Sequence, residues 1–175
     1  MTAFPRRAIS AFAMACALSA APAFADTTWH WQYTGDNIVA SGTLTAADAA
    51  DADGFHQITS ITGTRNGDAI TGLQPAGSAI PGNDPYALDN LIRVGAQGQI
   101  TVHGFGYATA SGGFANPYFA DFLSPPAYSE VFTTSRRFSE VPITFSATAV
   151  PEPEGVALML AGLVVVGAAL RRQNA

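Results

Sequence analysis

Gln57-Ile58-Thr59-Ser60-Ile61-Thr62-Gly63-Thr64-Arg65-Asn66-Gly67-Asp68-Ala69-Ile70-Thr71-Gly72-Leu73 consists of two β-rich runs joined by Asn-Gly. Asn and Gly both tolerate positive φ, so the pair favours a two-residue type I′ turn whose twist matches the flanking strands. In that register Arg65 faces Asp68 and Thr62 faces Thr71, both favourable cross-strand pairs. This hairpin decides the fold class, and the neighbouring segments agree with it.

Upstream, Trp29, Trp31 and Tyr33 alternate with His30, Gln32 and Thr34, which puts three aromatics on one face of a strand. Val39–Thr45 reads as the next strand, after a turn at Gly35-Asp36-Asn37. A helical turn or two is expected only within Ala46–Ala52. Downstream, Gln74–Pro85 is rich in Pro and Gly and reads as a surface loop. Leu88–Val94 and Gln99–Phe105 flank Gly95-Ala96-Gln97-Gly98 as a second hairpin. Ser111–Pro126 reads as irregular, anchored by Phe114, Tyr118, Phe119 and Phe122, and Ser129–Thr134 and Ile143–Ala149 supply late strands. Eight or nine short strands at this spacing predict an all-β fold, a single antiparallel β-sandwich or barrel-like domain.

Both ends of the chain carry a different signature. Arg6-Arg7 precede an apolar stretch from Ala8 to about Ala21, and Ala23-Phe24-Ala25 has the small-x-small pattern of a signal peptidase site. Residues 1–25 are therefore expected to be a signal peptide, with signal peptidase and the export machinery as partners and Asp26 the first mature residue. Cys16 reads as a thiol discarded with that signal. At the other end, Val150-Pro151-Glu152-Pro153 is followed by the charge-free run Gly155–Leu170 and the pair Arg171-Arg172. Leu158, Leu160, Leu163, Val164, Val165 and Leu170 lie among Ala and Gly without one charge between them, as a membrane-spanning helix requires. At about 1.5 Å per residue the run reaches roughly 24 Å, short of a hydrocarbon core of about 30 Å. The arginines favour the cytoplasmic side and place Pro151, Glu152 and Pro153 outside. The two prolines push their predecessors toward the extended form in which proteases read peptides.

Val-Pro-Glu-Pro at 150–153, Ala157-Leu158-Met159-Leu160-Ala161-Gly162-Leu163 and Arg171-Arg172 together resemble the PEP-CTERM sorting signal of exported Gram-negative proteins. The resemblance covers about the last 25 residues, with departures at Glu154, where a small residue is commoner, and Val156, where Trp is frequent. It implies recognition and cleavage near Pro-Glu-Pro by exosortase, a membrane-embedded transpeptidase-like enzyme, after transient retention in the inner membrane. It divides the chain into a signal peptide (1–25), a β-rich ectodomain (26–149) and a sorting signal (150–175). Through Gly42-Thr43-Leu44-Thr45, Ile58–Asn66, Asp89-Asn90-Leu91-Ile92 and Pro142–Thr148 the ectodomain also resembles, more loosely, β domains carried by such proteins, which implies no activity.

Between the two ends there is no Cys and no Lys, so the core rather than a disulfide must hold the domain. Four arginines stand against eleven acids over Asp26–Val150, a net charge of −7. Such a surface repels phosphate backbones and argues against a nucleic-acid partner. Asp48, Asp51 and Asp53-Gly54 miss the spacing of a calcium loop, since position 49 is Ala, and read as a solvated acidic loop. His30, His56 and His103 are too far apart for a recognised metal motif, and no Ser sits in a Gly-x-Ser-x-Gly elbow. No cofactor, metal or catalytic residue is expected. The Trp29-Trp31-Tyr33 stripe has two readings, a sugar-stacking row or, more commonly, core. The function expected is that of a non-enzymatic surface or matrix protein associated with extracellular polysaccharide or biofilm. The alternative is a secreted carbohydrate-binding module or hydrolase that uses the same tail for delivery.

Overall fold

The alternation of Trp29, Trp31 and Tyr33 becomes β1 (Thr27–Gly35), with all three rings buried and the residues between them exposed. The computed structural model describes residues 26–150, 161–164 and 171–172. A two-residue turn at Asp36-Asn37, with Asn37 at φ 58°, leads into β2 (Ile38–Ala50). Ile38, Ala40, Leu44 and Ala46 of β2 point to the same interior as β1. β2 continues through Ala46–Ala50, so the helical turn expected there is replaced by extended chain. Its partners explain the override: Ala46 pairs with Ile58 and Ala50 with His56, and ladder bonds to a neighbouring strand outweigh the weak helix propensity of an Ala-rich run.

β3 (His56–Arg65) and β4 (Asp68–Leu73) form the Asn66-Gly67 hairpin, with Arg65 opposite Asp68 and φ of 50° and 80° at the turn residues. Asn66 does more than turn the chain. Its Oδ1 accepts from the Val39 N–H at 2.8 Å and its Nδ2 donates to the Asn37 carbonyl at 2.9 Å, tying this turn to the β1–β2 turn. The expected Thr62–Thr71 pair does not form. The β3–β4 ladder ends after Thr64 and Ala69, because β4 leaves to pair with β6 (Tyr107–Thr109). Thr62 instead faces Thr43 of β2, hydroxyl to hydroxyl at 2.8 Å.

The β2–β3 ladder contains the feature on which the interior depends. Thr45 pairs with Ser60 and Ala46 with Ile58, so Thr59 is an extra residue. A bulge of one residue reverses the alternation beyond it. Ile58 and Ile61 are therefore both buried, and the phase set by Ile61 carries Arg65 inward instead of outward. Close by, Gly42 and Gly63 face each other, and a Cβ on Gly42 would lie 1.9 Å from the Thr62 carbonyl oxygen. Only glycine allows β2 and β3 to approach this closely.

Residues 74–90 are a loop, as expected for Gln74–Pro85, whereas the strand expected from Leu88 starts only at Leu91. The loop packs, with Ile80 and Leu88 buried against Val131, Phe114 and Tyr118. The second hairpin is reduced to β5 (Leu91–Ile92), an isolated Ile92–Ile100 bridge and an Arg93-to-Gln99 backbone bond of 2.8 Å. β5 lies beside the start of β3, in the place that β4 vacates. The stretch expected to be irregular contains β7 (Phe114–Ala120), paired over its full length with β8 (Ala127–Thr133). Pro117 is tolerated within it because the β6–β7 ladder extends only to Ala115, leaving position 117 without a strand partner on that side. β9 (Phe138–Ala149) then pairs with both β8 and β1.

The sheet order is β2-β1-β9-β8-β7-β6-β4-β3-β5, and β2 also pairs with β3. Eight antiparallel strands thus close into a barrel, with β5 appended at β3, which decides between the two architectures that the sequence left open. Closure removes the exposed strand edges that an open sheet would present. The interior is filled, not hollow: Trp31 packs against Tyr33, Phe105 and Tyr107, and Phe145 touches Tyr33, Phe105 and Tyr128.

Candidate functional site

Chemistry-bearing side chains gather at several places among the described residues, three of which bear on function. The first is inside. Glu130, fully buried on β8, receives the Arg65 guanidinium in a two-point pair, Nη2 to Oε2 at 2.7 Å and Nε to Oε1 at 2.8 Å. The Tyr33 hydroxyl donates to Glu130 Oε1 and is also hydrogen-bonded to the Tyr107 hydroxyl. Arg65 lies 3.7 Å above the Phe132 ring, which shields it further. Burial, with Glu130 close by, pushes both tyrosine hydroxyls well above the usual phenol range. Burial lowers the Arg65 pKa, but the hydrogen bonds and charge of Glu130 outweigh it and raise the net value. The Glu130 carboxylate and both tyrosine hydroxyls have partners and Glu130 is sealed from solvent, so the arrangement orders the barrel interior rather than offering a reactive group.

The second place is the loop after β2. Asp51 Oδ1 accepts the N–H groups of Asp53 and Phe55, which makes Asp51 the cap of its own turn. Among the described residues no three His, Cys, Asp or Glu side chains converge in a way that would hold a metal ion. His30 is exposed, whereas Nδ1 of His56 lies 3.0 Å from the Ala47 carbonyl and that of His103 3.0 Å from the Ala87 carbonyl.

The third is a groove of about 330 Å³ on the outer face of β7, β8 and β9. Its floor is a ladder row, since Asn116 pairs with Val131 and Val131 with Glu140. Tyr118, two residues along β7 on the same face, donates its hydroxyl to Glu140 Oε1. Burial, then this carboxylate, pushes the Tyr118 phenol up to about 12. The walls come from separate segments: Tyr86 from the packed loop, Phe122 from the β7–β8 connection and Phe138 from the start of β9. These three rings are 68, 68 and 56 % exposed. Phe122 is therefore no anchor of its segment, as the sequence suggested, but a ring presented to solvent.

The Trp29-Trp31-Tyr33 stripe is core, with Trp29 and Trp31 at 1 and 2 % exposure, so it is not a sugar-stacking row. Nε1 of both tryptophans meets no acceptor among the described residues. Sequence reasoning missed the groove residues Tyr86, Phe138 and Glu140. The available signal was slight: lone aromatics beside Pro or Arg, at Pro85-Tyr86 and Arg137-Phe138, outside any alternating run.

The chain leaves the barrel at β9, where the Val150 N–H still donates to the Thr28 carbonyl at 2.8 Å. The family model of the PEP-CTERM protein-sorting motif matches residues 149–173. The chain carries a PEP-CTERM sorting tail. That tail implies export, sorting to the cell surface and processing by exosortase. No curated protein and no solved structure matches the chain. Of the tail, residues 161–164 and 171–172 are helical and exposed, among them Leu163, Val164, Arg171 and Arg172. Pro151, Glu152, Pro153, Leu158, Leu160, Val165 and Leu170 lie outside the described residues, as do Ala23 and Ala25 of the expected signal peptidase site. Among the described residues no helix is long and apolar enough to cross a membrane.

Proposed function

We propose that this PEP-CTERM protein is a non-enzymatic component of the cell surface or extracellular matrix, whose barrel serves as binding and structural material in association with extracellular polysaccharide. In this reading signal peptidase removes residues 1–25, and the run Gly155–Leu170 holds the chain in the inner membrane until exosortase cuts near Pro151-Glu152-Pro153. The observation that carries the proposal is the sorting motif at 149–173, which begins on the last residue of β9, so the barrel ends where the tail begins. Two further features support it. The barrel lumen is occupied by aromatic rings, and the sealed carboxylate of Glu130 is engaged by Arg65 and Tyr33. The groove lies on the outer face, where a partner outside the cell would reach it.

The test is the intact mass and cell fraction of the protein from its native host, with and without exosortase. The expected result is a surface or released form that begins at Asp26 and lacks the tail, and a longer membrane-held form when exosortase is deleted. A protein that retains Met1, or whose fractionation ignores exosortase, would overturn the proposal.

A further inference from the structure

We infer that the outer-face groove binds a neutral oligosaccharide segment, with sugar rings lying on Tyr86, Phe122 and Phe138 and hydroxyls donating to Glu140. The inference deepens the cell-surface reading and rests on it for the presence of such a ligand. Three aromatic rings from three separate segments stand more than half exposed around one depression. Exposed apolar surface that is clustered and rimmed by polar groups marks interaction or ligand sites, whereas singly scattered apolar residues do not. The volume of about 330 Å³ falls within the range of small-ligand sites, about 300 to 1,000 Å³.

Charge selects the occupant. The exposed carboxylate of Glu140 lines the groove, no Arg does, and the net charge of −7 over Asp26–Val150 adds to the negative field. An anionic polymer is repelled. An apolar occupant would strip water from the Glu140 carboxylate and return no hydrogen bond. What remains is a cation or a neutral molecule with one C–H-rich face to lie on a ring and hydroxyl donors at its rim. The one carboxylate is already shared with Tyr118, and Arg136-Arg137 directly precede Phe138 in the chain, which favours the neutral molecule, a sugar. Tyr118 occupies Glu140 Oε1 and helps hold the carboxylate in place, which leaves Oε2 to accept from the ligand. Asn116 adds an amide to the floor, itself fixed by donating to the His103, Phe105 and Pro117 carbonyls.

The experiment titrates the full-length protein, held in a polyoxyethylene detergent, with short neutral oligosaccharides of glucose, galactose and mannose. A uronic-acid oligomer and choline serve as comparison ligands, read by calorimetry and by protein NMR. We expect one neutral oligosaccharide to bind in preference to both comparison ligands. Tyr86→Ala and Phe138→Ala should each weaken it about three- to tenfold. Glu140→Gln should also weaken it, and the thermal midpoint of these variants should stay at the wild-type value. The inference is overturned by failure of every neutral oligosaccharide at millimolar concentration, by tighter binding of choline or of the uronic-acid oligomer, or by binding that survives all three substitutions. Delivery of the same variants to the cell surface is scored separately. Lost sugar binding with intact sorting refutes the groove alone, and absent sorting of wild type refutes the surface reading alone.

Discussion

Arg65 on β3 and Glu130 on β8 meet in the barrel interior at 2.7 Å, although three strands separate β3 from β8 in either direction around the wall. The pair spans the lumen like a cross-brace. Removing one partner leaves the other charge buried and alone, which costs about 3–5 kcal/mol, whereas replacing both by apolar residues is often neutral. Glu130→Ala should therefore lower the stability of the barrel by about 3–5 kcal/mol in urea unfolding, and Arg65→Met with Glu130→Leu should recover much of that. A loss below about 1 kcal/mol for the single variant would show that the brace is not formed.

At the hairpin tip, Gly67 holds φ at 80° with open space where a Cβ would sit, so a side chain there costs conformational strain and no clash. Gly67→Val should destabilise by about 1 kcal/mol or more. Asn66→Gly keeps the turn conformation but removes the bonds to Val39 and Asn37, and should cost about 0.5–1.5 kcal/mol per bond. Thermal or urea unfolding of the two variants separates the contribution of the turn from that of the side chain. Wild-type stability in both would place the tip elsewhere.

The tyrosines set an alkaline limit. Tyr33, Tyr107 and Tyr118 all have folded pKa values raised above the ordinary 10.0, that of Tyr118 to about 12. Between those values the unfolded chain has lost protons that the folded chain keeps, so stability falls as pH rises. The tyrosines' contribution should be complete below pH 10, and should diminish from pH 10 upward as pH approaches the folded values. Tyr33→Phe and Tyr107→Phe should flatten that slope, as followed by unfolding midpoints together with tyrosinate absorbance. An unchanged slope in both would show that these phenols ionise freely in the folded barrel.

The tail should act as an address and not as part of the barrel. Leu163 and Val164 are 59 and 71 % exposed, and the last ladder pair of β9 is Trp29 with Ala149. Truncation before Pro151 should leave the stability of the barrel unchanged and abolish membrane retention. Changing Pro151, Glu152 and Pro153 together to Ala should trap a longer, membrane-held form in a host with exosortase, and Arg171 and Arg172 to Glu should weaken or invert retention. Processing of the triple-Ala form at the wild-type rate would make the tail a plain anchor.

Much of this was legible from local pattern. The inward face of β1 follows from the two-residue period of Trp29, Trp31 and Tyr33, and the Asn66-Gly67 turn from the φ values those residues tolerate. The sorting tail is equally local, because composition and order over 25 residues define it. Such signals require no knowledge of what lies across the molecule.

What the tertiary structure alone decided depends on partners far along the chain. The extra residue Thr59 shifts the phase of β3, and nothing in Ile58-Thr59-Ser60-Ile61 announces it, since Thr and Ser suit either phase; only the pairing with β2 shows that Arg65 turns inward. Arg65 then bonds to Glu130 and not to its cross-strand neighbour Asp68, which is taken up by Ser111. β7 formed in a stretch rich in Gly and Pro because β8 supplied a full ladder, which outweighed the local preference for turns. The groove exists because three exposed rings from residues 86, 122 and 138 converge only once the barrel closes and the 74–90 loop packs on its outer wall. Alternation and turn chemistry are set by neighbours along the chain and so are written in the sequence. Closure, the buried ion pair and the groove are set by contacts between distant segments, whose energies appear only when the chain is folded.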